Sequence, residues 1–168
     1  MKNDNKGFSL IELIVVIAIM AILVGVLAPN VLKYVEKSRV AADKQAVGAL
    51  YTAIQTAYID PDVTGTKTSV TLASAKNDDF HKAICETLGG TGSGTEVIYN
   101  ASAADPKTNL FNLQSTPYKG ANITVTITGS SISIDVPVKT ATPGYFGFTV
   151  DAAGVHDKDA PANGGGVG

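Results

Sequence analysis

The sequence predicts an α+β protein in which a long N-terminal helix, apolar all round in its first half and amphipathic in its second, packs on a small antiparallel β-sheet. Three observations carry this. Residues 8–28 are apolar or small throughout except for Glu12. Residues 29–59 repeat apolar side chains at three-, four- and seven-residue spacings with no turn signal before Asp60-Pro61. Residues 123–136 alternate isoleucine or valine with small polar side chains on either side of Gly129-Ser130.

The first element is the apolar run. Its 21 residues, at about 1.5 Å each, make a helix of about 30 Å, enough to cross a bilayer core. A secretory signal would place a small-residue cleavage site after such a run, but here it ends in Leu27-Ala28-Pro29-Asn30 and passes into a helical pattern. The processing point lies before it, where the short polar leader 1–7 meets the helix at Gly7-Phe8. Glu12 is the one acid in the run. A carboxylate in hydrocarbon costs several kcal/mol, about 3 on insertion scales, unless paired or protonated, so it either has a role or snorkels to the near interface. Pro29 has no amide hydrogen for the carbonyl of Gly25, and the glycine adds backbone freedom, so the Gly25 to Pro29 turn is expected to bend or locally melt.

Lys6-Gly7-Phe8-Ser9-Leu10-Ile11-Glu12-Leu13 resembles the prepilin cleavage motif of type IV pilins and pseudopilins, and Pro29 falls where that family has its helix-distorting proline. The resemblance reaches from Lys6 to about Asn30. It implies that a prepilin peptidase/N-methyltransferase cuts between Gly7 and Phe8 and methylates Phe8. It implies that Glu12 meets the freed amino group of Phe8 of a neighbouring subunit, and that the Gly25–Pro29 segment loosens when helices pack into a fibre. The implied partners are the membrane, its pilus assembly machinery and further copies in a helical filament, with no cofactor and no catalytic residue. The precursor would be a single-pass inner or cytoplasmic membrane protein and the product extracellular. Charge alone would not orient it, because Lys33, Lys37, Arg39 and Lys44 follow the run while Lys2 and Lys6 precede it. The exported placement rests on the resemblance.

Beyond Pro29, Val40, Val47, Leu50, Tyr51, Ile54, Ala57 and Tyr58 form an apolar stripe, and Lys33, Glu36, Lys37, Arg39, Asp43, Lys44 and Gln45 a polar side, to about Tyr58. Residues 60–76 read as a loop with a short strand at 69–72. Asn77-Asp78 caps a short helix running to Leu88, with Gly89-Gly90 as its stop. His81, Ile84, Cys85 and Leu88 share one face of it. The His81/Cys85 pair is read as packing with an inert thiol, since two ligands do not make a structural zinc site. The glycine-rich stretch 89–94 follows a helix and lacks the Gly-Lys-Ser/Thr ending of a phosphate loop, so it is read as a flexible connection.

The clearest strands flank Gly129-Ser130, a type II′ hairpin turn that sets Ile127 opposite Ile132, Val125 opposite Ile134 and Ile123 opposite Val136. A third strand at 145–150 is expected to turn Phe146, Phe148 and Val150 to the same side, with weaker strands at 96–99 and 110–113. Asp151-Ala152-Ala153-Gly154 reads as a turn and Asp157-Lys158-Asp159 as a polar loop. Asp157 and Asp159 offer two oxygens where calcium needs six to eight. Organisation is therefore a leader 1–7, a transmembrane and assembly helix 8–28, its amphipathic continuation 29–59, a globular part 60–159 and a glycine-rich tail 160–168.

The net charge of −2 conceals a gradient: residues 29–59 hold four bases and two acids, residues 60–168 seven bases and eleven acids. No basic cluster in the soluble part suggests a nucleic-acid partner, which would enter only for a competence pseudopilin. With Cys85 alone no intramolecular disulfide can form, unlike the two-cysteine C-terminal loop of many pilins, so something else must hold that region. The two histidines, His81 and His156, accompany no nucleophile motif or metal set, and no enzyme is read. The readings are a type IV pilus subunit, a pseudopilin of a secretion or DNA-uptake filament, and a membrane-anchored extracellular binding protein.

Overall fold

The structure is a computed structural model that describes residues 9–65, 67–68, 70–93, 95–101 and 109–158. Helix α1 runs Leu10–Ile59 and helix α2 Asp79–Thr87. Four strands follow: β1 Thr124–Thr128, β2 Ser131–Val136, β3 Phe148–Asp151 and β4 Gly154–Asp157. They form one sheet in chain order, each antiparallel to the next. The chain divides after Ser38 into two units.

In the first unit, every described side chain as far as Val35 is exposed. The all-round apolar run finds nothing in its own unit to cover it. The helix is α-helical through Gly25 and Pro29 without interruption, so of the expected bend or local melting there is no melting. A proline removes one amide from the ladder, and the intact turns on both sides hold the carbonyl's neighbours in place.

In the second unit the amphipathic stretch behaves as its spacing requires. Val40, Val47, Leu50, Ile54 and Ala57 are buried, together with Ala53, while Tyr51 and Tyr58 are half-buried. They share one core with Ile132, Ile134 and Val136 of β2, Phe148 and Val150 of β3, and Phe80, Ile84 and Cys85 of α2. The hydroxyl of Tyr58 donates to the carbonyl of Gly129 at 2.7 Å, tying the end of the helix to the first hairpin turn. Asp43 leaves the polar side expected for it and is only 1 % exposed.

The β1–β2 register is as the alternation predicts, with Val125 opposite Ile134 and Ile127 opposite Ile132. Gly129 has φ +58° and Ser130 stays at negative φ, as a II′ turn needs. The pairing stops at Thr124 and Asp135, so Ile123 and Val136 are not partners in the ladder. Strand β3 starts three residues later than expected. Phe146 therefore precedes it and stays 38 % exposed, while Phe148 and Val150 point inward. Gly147 allows the approach, since a Cβ there would lie 2.9 Å from the carbonyl oxygen of Val136. Residues 96–99 and 110–113 form no strands. They run beside each other from an isolated parallel bridge between Val97 and Asn109, with the Leu110 N–H donating to the Val97 carbonyl at 3.0 Å and the Tyr99 and Phe111 rings stacked. Residues 70–72 carry no strand, and Ser69 lies outside the described residues. Asp151-Ala152-Ala153-Gly154 is a turn as read, but it closes a second hairpin, whose outer strand β4 takes in Asp157 and pairs Val155 with Val150 and Asp157 with Phe148.

Candidate functional site: the apolar helix and the seams of its head

Gly7 and Phe8, the residues on which the processing motif turns, lie outside the described residues. The described residues begin at Ser9, which occupies the cap position of α1. The backbone N–H of Glu12 donates to the Ser9 carbonyl at 3.1 Å, and the Glu12 carboxylate accepts from the Ser9 N–H at 2.9 Å. This is the acid half of a capping box, in which an acid on the first turn reaches back to a free amide. It also sets a negative charge against the positive end of the helix dipole. Within one chain, Glu12 therefore caps its own helix. Gly25 is open on its outer side, with nothing within 4 Å of where a Cβ would stand, so nothing inside the subunit demands a glycine there.

In the head, two consecutive residues of α1 reach two different segments. The Asp43 carboxylate accepts from the backbone N–H groups of Gln114 at 2.7 Å and Ser115 at 2.9 Å, and from the Ser115 hydroxyl. Three donors satisfy a charge that would otherwise be costly to bury. Nearby, the Tyr99 and Tyr118 hydroxyls donate to the carbonyls of Ala121 and Phe146 at 2.9 and 2.6 Å. Burial, with the Asp43 charge adding, pushes both phenols up to about 12. Lys44 turns the other way. Its ammonium lies 2.5 Å from the Asp157 carboxylate of β4 and 5.8 Å from the centre of the Phe148 ring. Lys158 continues the tie, with its ammonium 2.6 Å from Asp135 and its N–H on the Gly147 carbonyl at 2.7 Å. These contacts hold the C-terminal hairpin where a disulfide is impossible.

The residues weighed as metal ligands have internal surroundings of their own. Asp157 is committed to Lys44, and Asp159 lies outside the described residues. The Nε2 of His81 faces the Glu96 carbonyl at 3.0 Å, and the buried Cys85 thiol is pushed up to about 11 by burial, with Glu96 and Glu86 adding. Asp78 caps α2 as its position suggests, accepting from the His81 N–H at 2.7 Å. The glycine-rich connection is not loose at its start. The Glu96 carboxylate accepts from the N–H of Thr91 at 2.6 Å, from the N–H of Gly92 at 2.9 Å and from the Thr91 hydroxyl. The Thr91 amide first, and the Thr91 hydroxyl and the amides of Gly92 and Ser93 with it, hold this acid below the usual carboxylate range. The amides that a phosphate might have used already hold an internal anion.

A wholly exposed apolar helix prolonged into a small α+β head is a pilin-like architecture. The prokaryotic N-terminal methylation motif matches residues 2–28. The chain is 32 % identical to a type IV major fimbrial protein, FimA, of Dichelobacter nodosus, over 66 % of this chain and 71 % of that protein. It is 30 % identical to a fimbrial protein of Pseudomonas aeruginosa, over 72 % and 78 % of the two chains. It is 31 % identical to prepilin peptidase-dependent protein A of Clostridium perfringens, over 52 % and 63 %. No solved structure matches the chain significantly. The protein belongs to the type IV pilin family.

Proposed function

We propose that the chain is the structural subunit of a type IV pilus, stored in the membrane as a precursor, cut between Gly7 and Phe8, methylated at Phe8 and polymerised through α1 into a surface filament. The observation that carries this reading is the helix Leu10 to Val35, apolar over most of its length and uncovered on every side. So much apolar surface needs a lipid phase before assembly and other copies of itself afterwards. In the filament Glu12 would exchange its own Ser9 amide for the charged amino terminus of a neighbour, a stronger partner where water is excluded. Gly25, bare on its outer face, gives that neighbour room, and Pro29 marks the turn that yields when packed.

The test is intact mass and N-terminal analysis of the protein sheared from its native host, with the sheared material imaged. A chain starting at methylated Phe8 in long fibres supports the reading. The same chain in short periplasmic or envelope-bound filaments would move it to a pseudopilin, and a chain retaining Met1 in peptidase-competent cells would remove the motif's role. Glu12→Ala is expected to be processed normally and to lose most fibre yield; undiminished yield would refute the pairing.

A further inference from the structure

Lys33, Tyr34 and Lys37 stand at the end of the apolar run, and the function proposed above leaves them without a task. All three are exposed. Lys33 and Lys37 are one turn apart on one face, and the Lys37 ammonium lies 6.0 Å from the centre of the Tyr34 ring. Lys33 has no ion-pair partner among the described residues. Glu36 and Arg39 are each engaged in an interaction of their own.

The geometry points to a headgroup-binding belt: we infer that Lys33, Tyr34 and Lys37 hold anionic phospholipid at the outer face of the membrane and so set the depth of the stored subunit. Spacing is the first argument. The 21 steps from Glu12 to Lys33 give about 32 Å of helix, close to the thickness of the hydrocarbon core. No charged residue intervenes between them. When Lys33 is at one headgroup boundary, Glu12 and the capped start of α1 are at the other, so neither charge is stranded in lipid.

Direction is the second argument. Side chains on a helix lean toward its N-terminus, so Lys33 and Lys37 lean back toward the apolar run and the boundary, as the placement of Lys37 over Tyr34 records. A tyrosine beside two lysines is also the side-chain mixture that suits the interface, with an amphipathic ring among headgroups and flexible cations reaching phosphates. This accounts for a charge distribution that orientation rules leave unexplained. Lys33 and Lys37 serve retention on that side rather than topology.

The inference rests on membrane insertion, and its test separates the two. The chain has no tryptophan, so Tyr34→Trp in the full-length protein supplies one fluorophore in place. Reconstituted at high lipid-to-protein ratio in phosphatidylcholine vesicles containing phosphatidylglycerol, it is probed with either lipid brominated near the headgroup or deep in the chain. The expected result is quenching by shallow bromines, with preference for brominated phosphatidylglycerol. Adding Lys33→Gln and Lys37→Gln should abolish that preference, up to about thirty-fold in relative association at low ionic strength. High salt should do the same to the parent. Equal quenching by both lipids, deep quenching, or a preference that survives the double substitution would each overturn the belt. A preference that vanishes on diluting the protein in lipid would assign the lysines to another copy and also overturn it. Failure of the protein to float with vesicles would overturn insertion itself.

Discussion

The two stretches of α1 differ in what they use as solvent. From Leu10 to Val35 every side chain is exposed. From Val40 onward, residues 40, 43, 47, 50, 54 and 57 are all buried, an unbroken three-four alternation that includes a carboxylate. One continuous helix thus carries two selection rules. The apolar stretch is specified by absence, with no charge between Glu12 and Lys33. The amphipathic stretch is specified by position, each inward side chain facing a defined neighbour.

Truncation should expose this difference most strongly. Leu50→Ala, at a fully buried site, is expected to destabilise the head by about 3 kcal/mol through lost transfer energy and a residual cavity. Leu23→Ala, exposed, should leave head stability within about 0.5 kcal/mol while weakening assembly. Thermal unfolding of the full-length protein in detergent micelles, followed by fibre yield in cells, checks both. Equal destabilisation by the two would erase the distinction.

The next effect concerns Asp43. Asp43→Ala removes an acceptor from the amides of Gln114 and Ser115 and from the Ser115 hydroxyl, with an expected cost of about 3 kcal/mol. Asp43→Asn keeps one oxygen but turns an NH2 group toward a donor, and should cost about 2 kcal/mol. Amide exchange at 114–115 should quicken in both. If Asn behaves as wild type, shape rather than charge holds the segment.

How much of this was legible varied with how strongly a residue's neighbours constrain it. The first hairpin could be read because alternation about Gly129 leaves one register that puts its paired apolar residues on one face. Strand β4 could not, since Gly154, Val155, His156 and Asp157 have little to bury and Val155 stays 44 % exposed. It exists through pairing to β3 and the reach of Lys44, neither visible locally. Alternation also misplaced Phe146, because close approach at Gly147 delays the strand. Asp43 was hidden by treating charge as a mark of solvent. Its signal was the spacing, which puts it on the stripe between Val40 and Val47, but its partners lie about seventy residues away. The N-terminal methylation motif over residues 2–28 was legible because it is a short string of residues rather than a packed environment.

Smaller still is the effect of Lys44. Its side chain is one-quarter exposed and that of Asp157 nearly two-thirds, so Lys44→Gln is expected to cost at most about 1 kcal/mol, and less at high salt. The loss should appear as faster amide exchange in β4 with β1 unchanged. Uniform change across the sheet would mean that the C-terminal hairpin is not separately tethered.

Glu96 should give the smallest and most local effect, and its sign is determinate. Its native pKa lies below the usual carboxylate range because the Thr91 amide, with the Thr91 hydroxyl and the amides of Gly92 and Ser93, favours the charged form. A depressed acid stabilises the fold fully above its unfolded pKa, and that contribution fades as pH falls through the native value. From neutral pH to about 5 the 90–93 loop should therefore stay protected from exchange. Below the unfolded pKa it should open progressively while the helix-and-sheet core remains closed. Glu96→Gln should open the loop at every pH and remove the acid step, since a neutral amide is a weaker acceptor for the same donors. An acid step that survives in Glu96→Gln would place the titration on another group. A loop protected equally at all pH values would mean that Gly90 and Gly92, whose added Cβ atoms would strike Glu96 and Glu86, hold the turn by backbone shape alone.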